Sequence, residues 1–341
     1  GILLELGGGM DIADLLALSV SSGASDLHLS AGVAPMLRVD GEMQQCGLPV
    51  FGPDQVRGLI HSLMTDAQRS AFDTGHEADF SCALAGLGRF RVNAFEQQRG
   101  AGAVLRSIAQ RAPSLESLGP GEVFRQLCRL PHGLILVTGA TGSGKSTTLA
   151  AMIDHLNRSR QQHILTIEDP IEFIHQPARC LINQREVHRD THSFSAALRS
   201  ALREDPDVIM LGEMRDLETI RLALTAAETG HLVLATLHTS SAARTIDRMV
   251  DVFPAEEKAM VRSMLSESLQ AVISQTLVKK VGGGRVAAHE IMLATPAIRN
   301  LIRENKVAQM VSAIQTGGAV GMQTLEMSLG RLSEARVIET L

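Results

Sequence analysis

Between Met10 and about Ala112, apolar and polar positions alternate in short blocks. In DIADLLALSVSSG, Ile12, Leu15, Leu16 and Leu18 fall close to helical spacing and Gly23 closes the run. SDLHLS alternates as a half-buried strand does, and PMLRVDGEMQ predicts a hairpin turning at Asp40 and Gly41. GPDQVRGLIHSLMTDAQRSAF reads as helix. ADFSCAL, GRFRVNAFEQ and GAVLRSIA are three strand-like runs with glycine or polar turns between them. Together these predict a small α+β domain with an antiparallel sheet over residues 10–112.

The stretch QRAPSLESLGPGEVF is rich in proline and turn residues, and the linker is placed at 113–131. Beyond it the pattern changes. GLILVTG, HILTIEDP, DVIMLGE and HLVLATLH are continuous apolar runs with helical stretches between them. Strands apolar on both faces and separated by helices predict a parallel sheet in an α/β domain over 132–341. The last third is expected to be mostly helical. In AEEKAMVRSMLSESLQAVISQTLV, the residues Met260, Val261, Met264, Leu265, Leu269, Val272 and Ile273 form one broad apolar face. The opening GILLELGGG, residues 1–9, reads as a non-native or unstructured extension.

Composition narrows the classes. The chain has 341 residues, 45% apolar and 20% charged, a soluble globular balance with room for two domains. Its apolar runs fall far short of the ~20 residues that cross a bilayer. No basic leader with a cleavage site is present, and Cys46, Cys82, Cys128 and Cys180 form no CxxC pair. A reducing cytoplasm is therefore expected. A net charge of −5, no Trp, no Tyr and nine Phe argue against a single-strand nucleic-acid groove, which needs positive charge and stacking aromatics.

The chemistry is announced by GATGSGKSTTLAA. Gly139, Gly144, Lys145 and Ser146 complete a Walker A pattern, with Thr141, Gly142, Ser143 and Thr147 filling out the loop. Glycines let backbone N–H groups turn inward around a phosphate, Lys145 supplies a point charge and the Ser146 hydroxyl can ligate Mg2+. A strand precedes the loop, and Leu149, Met152, Ile153 and Leu156 mark a core-facing helix after it. ATP is preferred over GTP because no NKxD motif is present.

Acids follow two of the apolar runs. VIMLGE ends in Gly212 where a Walker B aspartate is usual, so Glu213 is expected to act on the metal through a water. LTIEDPIEF offers Glu168, Asp169 and Glu172 as the carboxylate that holds the attacking water, and the pattern does not choose among them. His231 opens the run HLVLATLH and His238 closes it; a histidine just past a parallel strand lies where ligands collect.

The ordered boxes resemble the secretion ATPases that drive type IV pili, type II secretion and related systems. IEDPIEF matches that family's aspartate box, LGEMRD its Walker B, and TGHLVLATLHT its histidine box. The resemblance implies a PAS-like N-terminal domain, a RecA-like ATPase domain and a homohexameric ring that binds ATP, ADP and Mg2+. It implies a cytoplasmic motor at the inner-membrane base of a pilus, facing a platform protein and an accessory retraction ATPase. It assigns catalysis to Glu172, Glu213, His231 and His238, and phosphate contacts to Arg91 and Arg106. The run AIRNL, Ala297 to Leu301, resembles a motif of the retraction branch, which favours pilus retraction and twitching over assembly or secretion. On that helix Ile298, Leu301 and Ile302 share an apolar face, and Arg299, Arg303 and Glu304 are expected to point away from it. Three departures stand out: Ala140 replaces a frequent proline, residues 1–9 have no counterpart, and a C-terminal tail common in the family is not expected.

Overall fold

In the computed structural model, residues 9–109, 111–119 and 121–340 are described, so most of the opening extension lies outside the described residues. The chain divides into two compact units, Gly1–Gln110 and Arg111–Leu341.

The first unit contains α1 (Ile12–Ser21), β1 (Asp26–Ser30), β2 (Met36–Val39), β3 (Glu42–Gln45), α2 (Pro53–His61), α3 (Asp66–Gly75), β4 (Glu77–Leu84), β5 (Gly88–Gln97) and β6 (Gly100–Ile108). Its sheet has the order β3-β2-β1-β6-β5-β4 with every pairing antiparallel. Asp11 starts α1 through a capping box with Asp14, and Leu15 and Leu16 are buried by that helix. The stretch read as helix over 52–72 is two helices. Thr65 accepts from the Gln68 N–H while the Gln68 side chain returns to the Thr65 N–H, a second capping box that begins α3 afresh. Phe72, Phe90, Ile60 and Leu105 are buried in this unit's core.

The second unit holds α4 (Gly121–Cys128), β7 (Gly133–Thr138), α5 (Lys145–Ser159), β8 (His163–Glu168), β9 (Leu181–Glu186), α6 (Phe194–Ala201), β10 (Val208–Leu211), α7 (Leu217–Glu228), β11 (Leu232–Leu237), α8 (Ala242–Asp251), α9 (Lys258–Ser268), β12 (Leu269–Lys279), β13 (Arg285–Leu293), α10 (Pro296–Arg303), α11 (Met310–Gln315) and α12 (Leu325–Glu334). The sheet order is β13-β12-β7-β11-β10-β8-β9. All neighbours are parallel except the β12–β13 hairpin. β7, β10 and β11 are buried at every position, as strands covered by helices on both faces must be. Residues 115–128, read as part of a linker, carry a 3-10 turn and α4. Leu115, Phe124 and Leu127 there are buried in the core of this unit.

One run in the last third is corrected. The run from Ala255 is not one helix: α9 stops at Ser268 and β12 begins at once, seated between β7 and β13. A strand buried on both faces is apolar nearly throughout, so its spacing also satisfies a helical template. The β-branched Val272, Ile273, Thr276 and Val278 favour the strand that forms. β9 was not predicted; LINQRE is a largely polar edge strand with a weak apolar signal. No helix among the described residues is long and apolar enough to cross a membrane.

Candidate nucleotide site

Parallel strands all end at the same edge of a sheet. β7, β8, β10 and β11 therefore deliver the phosphate loop, the acidic loop, Glu213 and His238 to one rim. Short bonds knit these turns together: the Gly139 N–H donates to Leu237 O at 3.3 Å, Gly212 N–H to Ile167 O at 2.8 Å and Met214 N–H to Thr236 O at 3.0 Å.

The loop runs from Gly139 into the first turn of α5. Gly139, at φ 152°, lies so close to β12 that a Cβ there would stand 2.5 Å from Gln275 O. Lys145 is 8% exposed and is satisfied locally. Its ammonium donates to Gly139 O at 2.6 Å and to His238 Nδ1 at 2.9 Å. A histidine that accepts at Nδ1 carries its proton on Nε2, and Nε2 lies 3.3 Å from Glu213 Oε2. Arg215 Nε donates to that same oxygen at 2.8 Å. Burial pulls the Lys145 pKa below its ordinary value, and Glu213 pulls it back up. Ser143 Oγ is buried with no hydrogen-bond partner among the described residues, an orphaned group worth about 1–3 kcal/mol if left unmade. Ser146 is exposed at the start of α5.

Beyond β8 the loop at 169–175 is pinned from β9. Glu186 Oε1 accepts from the Ile171 N–H at 3.0 Å, and Gln184 reaches Phe173 O at 2.8 Å and accepts from the His175 N–H at 2.9 Å. The half-buried Glu172 stands in the middle of this pinned loop. Glu168 is buried beneath it, and its Oε2 accepts from Thr166 Oγ1 at 2.8 Å and Gln184 Nε2 at 3.1 Å. Burial pushes Glu168 up to about 7; those two bonds oppose the rise, while Glu172 and Glu186 add to it. Glu168 is thus a buried support, and Asp169 and Glu172 are the two carboxylates of the three that the loop leaves accessible.

Not every expected residue joins the rim. His231 precedes β11, at the opposite end of the strand from His238. Its Nδ1 lies 2.9 Å from Ala226 O in the last turn of α7, and its own carbonyl accepts from Gly133 N–H. Within one chain it does not meet the phosphate loop. Arg91 and Arg106 belong to the first unit and are register partners on β5 and β6. Arg91 pairs with Asp79 at 2.9 Å, and Arg106 with buried Asp26 at 2.9 Å. These acids from β4 and β1 offset the repulsion of two facing cations. Burial raises the Asp26 pKa, but the Ser25 hydroxyl and Arg106 more than reverse it.

Arg299 is a correction. It does not point away from the packed side of α10; Nη1 donates to Ser266 O at 2.6 Å and Glu267 O at 3.1 Å, and Nη2 to Gln270 Oε1 at 3.3 Å. Those carbonyls end α9, where a cation is favourable. Burial, then the nearby Arg303, lowers its pKa. Arg303 and Glu304 are exposed as expected.

Residues 11–283 match the model of the Type II/IV secretion system protein family. The chain belongs to that family. It is 70% identical to the type IV pilus retraction ATPase PilT of Pseudomonas aeruginosa, covering 94% of this chain and 93% of that one. It is 57% identical to a twitching motility protein of Neisseria gonorrhoeae over 94% of this chain and 86% of the other. The crystal structure of the pilus retraction motor PilT with bound ADP superposes with a TM-score of 0.91 at 47% identity, covering 97% and 95% of the two chains. This secretion-family chain therefore shares its whole α/β architecture with a nucleotide-binding relative. Gln184 and Glu186, which hold the acidic loop, and Gln275, which touches the phosphate loop, lie outside the family boxes named above, and no spacing rule marks them.

Proposed function

We propose that this chain is a Mg2+-dependent ATPase working as a homohexamer in the cytoplasm to power type IV pilus retraction and twitching motility. The observation that carries the reading is the chain of contacts from Lys145 through His238 to Glu213 at the mouth of the phosphate loop. Lys145 neutralises the β- and γ-phosphates, and the loop N–H groups from Gly144 to Thr147 cradle them. The orphaned Ser143 hydroxyl is a donor suited to a phosphate oxygen.

The donor set fits Mg2+. Among the described residues no three His, Cys, Asp or Glu side chains gather into a cage, and Mg2+ prefers few protein oxygens with phosphates and water. Ser146 Oγ and, through water, Glu213 would hold it. When bound it would supply charge that stabilises the transferring phosphoryl group. Glu172 orients the attacking water as general base, and Gln184 and Glu186 keep its loop in place. His238, bridging the loop lysine and Glu213, is placed to sense the γ-phosphate. Arg91 and Arg106 read phosphate charge, and His231 supports the far end of β11.

The partners proposed are the pilus platform protein at the inner membrane and an accessory retraction ATPase. The test is a cell lacking this gene, scored for surface pili and twitching. Abundant pili without twitching is the expected result. Loss of pili would make the chain an assembly motor instead.

A further inference from the structure

Gln275 is 5% exposed in the middle of β12, a strand seated between β7 and β13. A buried amide in such a strand costs free energy unless both its ends are bonded. Both are. Nε2 donates to Ser143 O at 2.6 Å, inside the phosphate loop, and Oε1 accepts from Thr148 Oγ1 at 2.8 Å, in the first turns of α5. The backbone of the same residue closes the other side. Its carbonyl sits where a Cβ on Gly139 would collide at 2.5 Å, and its Nε2 would stand 3.1 Å from a Cβ on Gly144. One residue therefore abuts the loop where it opens and where it closes.

The strand beneath is anchored too. Next to Gln275, the Ser274 hydroxyl meets Thr138 Oγ1 at 2.6 Å, and Ser274 pairs in register with Thr138, the last residue of β7 before the loop. Successive strand residues face opposite sides of the sheet. Ser274 thus fixes the strand that feeds the loop, and Gln275 fixes the loop and helix that follow. Other bonds on the loop are the Gly139 N–H to Leu237 O at 3.3 Å, the Ser143 N–H to Ala140 O at 3.1 Å, and the Lys145 bonds to Gly139 O and His238 Nδ1.

We propose that Gln275 is a positioning residue that clamps the phosphate loop in its nucleotide-binding form through Ser143 and Thr148. It touches no phosphate; it sets the span between Gly139 and Gly144 across which the loop N–H groups converge. This rests on the nucleotide reading of the loop given above. A clamp of this kind acts on binding before chemistry. Its loss raises the Kd for ADP and the KM for ATP more than it lowers kcat.

The test uses the full chain and ADP with Mg2+, with Lys145→Ala as the control that loses binding. Gln275→Met keeps the volume and removes both bonds; Thr148→Val keeps the shape and removes one. The expected result is an ADP Kd raised about tenfold by Gln275→Met and about threefold by Thr148→Val. The double variant should be no weaker than Gln275→Met alone, because Gln275→Met already removes the one bond that Thr148→Val removes. A folded Gln275→Met protein with the wild-type Kd and KM would overturn the proposal. Should that variant fail to fold, Thr148→Val decides: a raised Kd supports the clamp and an unchanged Kd overturns it. Absence of ADP binding by the wild-type chain would remove the nucleotide reading itself, a separate outcome.

Discussion

His231 and His238 stand at the two ends of one strand, β11, and both were candidates in the sequence, His238 the stronger. Seven residues at ~3.3 Å each separate them by roughly 23 Å. His238 touches the phosphate-loop lysine, whereas His231 bonds the last turn of a helix that returns to the sheet. The difference is topological. Parallel strands send all their outgoing turns to one rim, where Lys145, Glu172, Glu213 and His238 collect from four separate segments. The other rim receives the incoming turns from helices, where polar residues finish hydrogen bonds. A histidine's part is set by which end of a strand it occupies.

The largest test of this contrast is at the outgoing rim. Glu172→Gln should leave ATP binding nearly intact and lower turnover ~10²-fold, measured as phosphate release at saturating ATP. An unchanged rate would pass the base role to Glu168, Asp169 or Glu213. The histidines come next. His238→Ala should slow turnover about tenfold, while His231→Ala stays within about twofold of wild type. Equal losses would break the contrast and place His231 at a phosphate after all.

A smaller effect is expected at α10. Arg299→Ala removes three bonds to the end of α9 and the start of β12, at a cost of roughly 1–3 kcal/mol, seen as a thermal midpoint lower by several degrees. Turnover per folded protein should remain and twitching should fall. An unchanged midpoint would return Arg299 to the solvated face first expected for it.

The smallest concerns Glu168, held up to about 7 against an ordinary 4.5. Between those values the folded chain keeps a proton that the unfolded chain has released. Stability from this group therefore falls as pH rises through that window, and the penalty is complete above about pH 7. Glu168→Gln should melt a few degrees higher than wild type at pH 8 and equally at pH 4. A variant with the wild-type pH profile would contradict the buried, protonated support described here.

Much of this site was legible because phosphate chemistry demands particular residues directly after buried strands. Lys145, Glu213 and His238 are such residues, and the apolar runs before them are plain. Among Glu168, Asp169 and Glu172 the pattern did not choose; burial sets Glu168 aside, and Glu172 over Asp169 rests on the family's aspartate box. The break between α2 and α3 was written as Thr65-Asp66-Ala67-Gln68, a capping-box signature lost within a longer apolar period. The α9–β12 boundary carried no such mark, since a doubly buried strand mimics a helix face. Gln275 was hidden with it, because its partner Thr148 is 127 residues away in sequence. Arg299 was misplaced for a related reason: helical spacing gives a direction, but a long guanidinium can turn back to cap a neighbouring helix.

The most direct measurement is phosphate release from ATP and Mg2+ by the intact chain beside its Lys145→Ala variant, each checked for fold by circular dichroism. The account predicts turnover by the wild type and none detectable by the variant, because the loop loses the charge that faces the phosphates. Wild-type turnover from a folded Lys145→Ala protein would contradict it and move the chemistry away from this rim of the sheet.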